Sequence, residues 1–196
     1  MRTRPIGVRT LALAAAMSIL VLFAVEVVNG PAEKVHAQGA SADYFLKIEG
    51  IKGDSLNDQH KDEIEVESWS WGESNPSRPL ATPGSGAGKV SMKDFHFTIR
   101  GSTATPHLFL ASAQGKVIPS ATLTGTTDNG QTFVRWELKN VIVSSFNTEG
   151  QATLGPPMDR ISLKFTQIVV TYARQNADGS TSNVRAGWDL GTNKKV

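Results

Sequence analysis

Through most of this chain apolar residues recur at every second position, the period of a strand with one face buried. In Asp94–Arg100, "DFHFTIR", Phe95, Phe97 and Ile99 alternate with His96, Thr98 and Arg100, and Tyr44–Gly50, "YFLKIEG", alternates in the same way. Phe133–Phe146 carries Val134, Trp136 and Leu138 on one face and then enters Val141-Ile142-Val143, apolar on both. In Ile161–Tyr172, Ile161, Leu163 and Phe165 share one parity, whereas Ile168, Val170 and Tyr172 have the other. A parity change within one strand predicts a bulge or cover on both faces. "TTDNGQ" and "NADGS" read as hairpin turns. Helical spacing is confined to Ser102–Gly115, with Thr103 or Thr105 as N-cap, Pro106 near the first turn, Leu108, Leu110 and Ala111 on the buried side and Gly115 as the stop. One short helix among some seven strands predicts a mainly β fold, a closed or nearly closed antiparallel barrel or sandwich.

The N-terminus follows a different pattern. Arg2, Arg4 and Arg9 precede an uncharged, mostly apolar run from Thr10 to Val25, and Val35-His36-Ala37 places small residues before a cleavage point between Ala37 and Gln38. At 16 residues the run is shorter than the ~20 that span a bilayer. Residues 1–37 are therefore expected to be a secretory signal peptide, and residues 38–196 one domain, secreted into the periplasm or the exterior. The leader holds four basic side chains (Arg2, Arg4, Arg9, Lys34) and two acidic ones (Glu26, Glu33). That difference equals the whole chain's excess of 20 Lys and Arg over 18 Asp and Glu, so the mature domain is neutral. A neutral domain lacks the concentrated cations that nucleic acid or an anionic membrane surface requires, and neither is expected as a partner. The absence of cysteine excludes thiol catalysis and zinc–thiolate sites, and leaves stability to packing.

Motifs for chemistry are weak. Glu63, Glu65 and Glu67 share one strand face, which describes a solvated face better than a glycosidase pair, whose carboxylates stand on separate supports. His60, in "NDQHKDE", reads as an exposed turn residue without a second histidine at ligand spacing, His96 as a surface or lumen residue, and His107 as part of the helix start. "GSGAGK" lacks the Ser or Thr and the strand-to-helix setting of a phosphate loop, and no serine sits in a G-x-S-x-G elbow. No catalytic residue, cofactor or metal is expected. Gly72–Gly88 and Asn147–Asp159 read as two long loops. Trp69 and Trp71, in "ESWSWG", continue the parity of the three glutamates, so without a bulge that face passes from water to a site covering two indoles. Packing inside the subunit and contact with a neighbouring subunit both fit that pattern.

Several blocks together resemble a known family. "ADYFLKIEGIKGDSLNDQHKDEIEVESWSWG", "GSGAGKVSMKDFHFT", "STATPHLFLASAQGKVIPSATLT", "ELKNVIVSSF", "ISLKFTQIVVTY" and "AGWDL", in this order from about residue 43 to 190, look like the Hcp (haemolysin-coregulated protein) family of type VI secretion tube proteins. The resemblance implies a β-barrel of two sheets with one flanking helix, a subunit that assembles into a homohexameric ring with a central channel. It implies no catalysis, rings that stack into a tube, and effector cargo or a spike-type protein as partners. It also assigns the Gly72–Gly88 loop, with Pro76, Arg78, Leu80 and Pro83 in its projecting part, to contact with the next ring. The competing expectation is a monomeric secreted β-domain that binds a ligand such as a glycan through surface tryptophans.

Overall fold

Among the described residues the alternating segments form eleven strands and one helix: β1 Ala42–Ile48, β2 Ile64–Ser70, β3 Glu73–Ser74, β4 Ser91–Met92, β5 Phe95–Arg100, α1 Ala104–Gln114, β6 Ile118–Thr127, β7 Thr132–Glu149, β8 Met158–Lys164, β9 Gln167–Gln175, β10 Thr181–Asp189 and β11 Lys194–Lys195. The structure, a computed structural model, describes residues 41–75, 90–153, 155–176 and 179–196. The expected leader with its expected cleavage point between Ala37 and Gln38, and the expected ring-contact residues Pro76, Arg78, Leu80 and Pro83, lie outside these residues. The large sheet runs β11-β10-β9-β7-β6-β1-β2-β5-β8, and β8 pairs back onto β7. Six antiparallel strands, β7-β6-β1-β2-β5-β8, thus close a barrel, while β9, β10 and β11 extend from β7 beyond it. This is the mainly β barrel with one short helix that the periodicity predicts.

Strand β7 builds the corner between the two sheets. Its first part, Val134–Lys139, lies between β6 and β9, and its second, Ile142–Glu149, pairs with β8. Asn140 stands between them in the left-handed region, φ 49°, and its side-chain amide donates to Thr166 Oγ1 at 2.9 Å. Asparagine tolerates this conformation far better than a β-branched residue does. The chain turns there, so the buried set changes from Val134 and Leu138 to Val141 and Val143. The apolar run Val141-Ile142-Val143 reflects this change of face, and a bulge between Val143 and Ser145 follows it.

Ile161–Tyr172 is two strands rather than one. β8 ends at Lys164 in the sheet with β5, and β9 begins at Gln167 in the sheet with β7 and β10, so the parity change falls at the corner Phe165-Thr166. The two long loops are also shorter than expected. Glu73 and Ser74 pair with Met92 and Ser91 as a small hairpin base, and Asn147–Glu149 continue β7 opposite Met158–Arg160.

Helix α1 enters the core cluster through Ala104, Leu108 and Ala111. Leu110, expected on this side, is 49% exposed, and Phe109 58%. The Ser102 hydroxyl accepts the Ala104 N–H, whereas the Thr103 hydroxyl turns away to donate to Asp54. Thr105 donates to Asp159 Oδ2 at 2.5 Å, tying the first turn to a fully buried carboxylate on β8. Gly115 ends the helix with φ 58°, as expected for a left-handed C-terminal glycine.

Candidate assembly surface and aromatic cluster

A bulge decides where the tryptophans go. β2 pairs with β5 as Val66↔Ile99 and then Ser68↔Thr98, so Glu67 is an extra residue without a partner. Before it the even positions Ile64 and Val66 are buried; after it the odd positions Trp69 and Trp71 pack against the core. The uninterrupted face shared by the glutamates and indoles therefore does not exist. Glu65 and Glu67 stay in water, Glu67 pairs with Arg100 at 2.7 Å, and Glu63 belongs to a separate contact with His60. Both indoles join one aromatic cluster. Trp69 lies 5.7 Å from Tyr44, 5.6 Å from Phe95 and 6.2 Å from Trp136 between centroids, and Trp71 lies 5.4 Å from Trp136 and 6.1 Å from Phe95. Of the two sites compatible with the sequence, packing inside the subunit describes these ring contacts.

His60 is not an exposed turn residue. Its ring stacks on Phe45 with centroids 4.3 Å apart, its Nδ1 meets Glu63 Oε2 at 2.9 Å, and the residue is only 8% exposed. The reason is that Phe45 and Leu46 are both buried on adjacent positions of β1, so Phe45 needs cover on the face opposite the core. The loop carrying His60 supplies it. His96 does lie on the exposed face of its strand, with Nδ1 2.8 Å from Ser162 Oγ, which also accepts from Ser145 at 2.7 Å. His107 is exposed on α1. Among the described residues no group of three or more His, Cys, Asp or Glu is placed to hold a metal ion.

Two apolar patches are open to solvent. On the first, Phe109 and Leu110 project from α1, and Phe109 meets Phe146 edge-on at 6.1 Å, with Val117 58% exposed beyond the helix. On the second, Val184 and Tyr172 face each other across β10 and β9, 67% and 54% exposed, and Tyr172 meets Phe133 at 6.4 Å. Phe146 and Phe133 lie on opposite sides of the bend at Asn140, which puts the patches on different sheets of the barrel. Neither patch stands out in the sequence, where Phe109 and Leu110 lie in a segment of helical spacing and Tyr172 and Val184 lie in strands of mixed polarity.

Comparison with known proteins places this architecture. The family described as "Type VI secretion system effector, Hcp" matches residues 45–172. "Protein hcp1" of Pseudomonas aeruginosa is 37% identical over 158 residues, 78% of this chain and 98% of that protein. The crystal structure of Hcp1 from Salmonella typhimurium superposes with a TM-score of 0.68 at 33% identity, covering 80% of this chain and 99% of that one. A structure described as that of a type six secretion system protein reaches a TM-score of 0.73 at 28% identity, over 80% of this chain and all of the other. The barrel closed through β7, helix α1 and a match that takes in almost the whole length of each relative make this chain a member of the Hcp family of type VI secretion proteins.

Proposed function

We propose that the protein is a structural, non-catalytic ring subunit that self-associates as a homohexamer through its two exposed apolar patches. The observation that supports this is their difference in kind and place. Phe109, Leu110 and Val117 surround a helix, whereas Tyr172, Val184 and Phe133 form a strand face on the other sheet. A two-fold dimer buries one patch against itself; two unlike patches suit a head-to-tail contact that repeats until a ring closes. A covered aromatic patch is also what the core of a stable interface contains. Stacking of rings through Pro76, Arg78, Leu80 and Pro83, export directed by a leader cleaved between Ala37 and Gln38, and effector cargo or a spike-type partner complete the reading by resemblance to the family.

Native mass in solution tests it. Light scattering after size exclusion is expected to give about six times the chain mass, and Tyr172→Glu with Val184→Glu to return a folded monomer. A wild-type monomer at high concentration would sink the proposal. The glycan-binding alternative loses its main support because Trp69 and Trp71 face the cluster around Phe95 and Trp136 rather than forming an exposed platform.

A further inference from the structure

A cavity of about 360 Å³ lies on the exposed face of β2, β5, β8 and the second half of β7. Its floor follows from register. Ser68, Thr98, Arg160 and Asn147 stand opposite one another across the four strands, and Ser70, His96, Ser162 and Ser145 form the next rank. All eight line the cavity. Neighbours within a rank are about 5 Å apart, and the two ranks, two residues apart on each strand, are separated by roughly 7 Å. Phe97 and Ile161, which alternate with these residues, are buried, and Trp69 packs against the core. A solvated strand face ordinarily carries long charged side chains, as the other sheet does with Lys47, Arg135, Glu137, Lys139 and Arg185. Here five of the eight residues are Ser or Thr, and their short side chains leave a hollow with a polar floor. Part of that floor is fixed: Ser162 Oγ lies 2.8 Å from His96 Nδ1 and accepts the Ser145 hydroxyl at 2.7 Å, and Arg160 donates to Glu149. The hydroxyls of Ser68, Ser70 and Thr98 and the side-chain amide of Asn147 have no partner in the protein.

We infer that this cavity is a binding site for a small uncharged polyol, a molecule with hydroxyl groups on adjacent carbons. A hydroxyl both donates and accepts a hydrogen bond, and a side-chain amide does so through its two ends. Four such groups at strand spacing match a ligand whose own hydroxyls do both at each position. An anion engages only the donors, and it meets the Glu149 carboxylate beside Arg160. An apolar ligand covers the hydroxyls without replacing the bonds they make to water, which costs free energy at every one of them. The volume falls within the ~300–1,000 Å³ range of small-molecule sites. Phe109, Leu110, Val117, Tyr172 and Val184 line no part of it, so the site stands or falls independently of ring assembly.

The test is saturation-transfer difference NMR on the full chain with myo-inositol as the polyol probe, cyclohexanol as a ring of similar size with one hydroxyl, and inorganic phosphate as competitor at constant ionic strength. Myo-inositol is expected to give a saturable signal with a Kd on the order of millimolar, the affinity that four net hydrogen bonds supply. Cyclohexanol should give no saturable signal in that range, and phosphate should leave the inositol signal in place. Thr98→Val keeps a β-branched strand residue and removes one hydroxyl. Its Kd for myo-inositol should rise about fivefold, the ratio one net hydrogen bond supplies, whereas Thr122→Val, the same change on the other sheet, should leave it unchanged. No saturable inositol signal, equal binding of cyclohexanol, or displacement by phosphate overturns the assignment. Equal effects of the two variants overturn its placement on this face. Should Thr98→Val fail to fold, the wild-type probe series decides alone.

Discussion

Truncating Phe95 tests the reading of the barrel end most directly. Its side chain is fully buried, and its ring meets Phe97 at 4.9 Å, Trp69 at 5.6 Å, Trp136 at 5.8 Å and Trp71 at 6.1 Å. Phe95→Ala removes the ring on which the cluster converges and leaves a cavity between two strands of the closed barrel. Phe→Ala changes in well-packed cores cost about 3–5 kcal/mol, and four aromatic neighbours held by strand pairing place this site near the upper end. With a urea slope of about 2 kcal/mol per M, a loss of about 4 kcal/mol lowers the unfolding midpoint by about 2 M. Wild type and variant are compared at one protein concentration, since self-association makes apparent stability depend on it. Far-UV circular dichroism follows the transition. Native tryptophan emission supplies a second readout and should move to the red, because three of the four tryptophans touch the deleted ring. A midpoint within about 0.5 M of wild type at unchanged slope would mean that the indoles do not pack around Phe95, and the inward placement of Trp69 and Trp71 would fall with it.

Further outcomes follow from single positions. Asn140→Val forces a β-branched residue into φ 49° and removes the bond to Thr166, for an expected loss of about 2 kcal/mol. Asn140→Gly should recover most of it, and equal melting temperatures for Val and Gly would refute the strand-bend argument. Gly53→Ala would set a Cβ 2.4 Å from the Glu63 carbonyl oxygen and 2.7 Å from Ile64 Cα, both backbone, so soluble yield should collapse. Gly72→Ala, where a Cβ meets nothing within 4 Å, is the neutral control. Asp54 accepts the Thr103 hydroxyl and backbone N–H, which hold its carboxyl below the ordinary carboxylate value. A depressed folded-state pKa gives stability that is fully present above the unfolded value near about 3.9 and is lost as pH falls through the folded one. Wild type should therefore lose stability as pH falls below about 4 that Asp54→Ala does not lose, as read by thermal melts at successively lower pH; parallel profiles would contradict it.

Much of the architecture is legible along the chain. The alternation of Phe95, Phe97 and Ile99 appears unchanged in β5, and Gly115 stops α1 where its freedom at positive φ is needed. The block order reads directly as the family. The assembly patches are less legible. Phe109 and Leu110 lie in a segment whose spacing indicates a helix, but apolar residues on both sides of a short helix do not say which side meets the core. Tyr172 and Val184 come together through a pairing of β9 with β10, yet their exposure depends on where the closed barrel ends and its extension begins.

Residues near one another in sequence carry the information for strand period, helix ends and turns, because these depend on backbone conformation and on which faces are apolar. Cover for those faces comes from elsewhere. Glu67 is an extra residue only because Ile99 and Thr98 fix the register of β5 against β2, and that single residue turns two indoles inward. His60 is buried only because Phe45 lies beneath it, and Asn140 turns β7 only where β8 and β9 claim its two halves. Local alternation names two faces for every strand; the long-range pairings of the closed barrel choose which neighbour, or water, each face will meet.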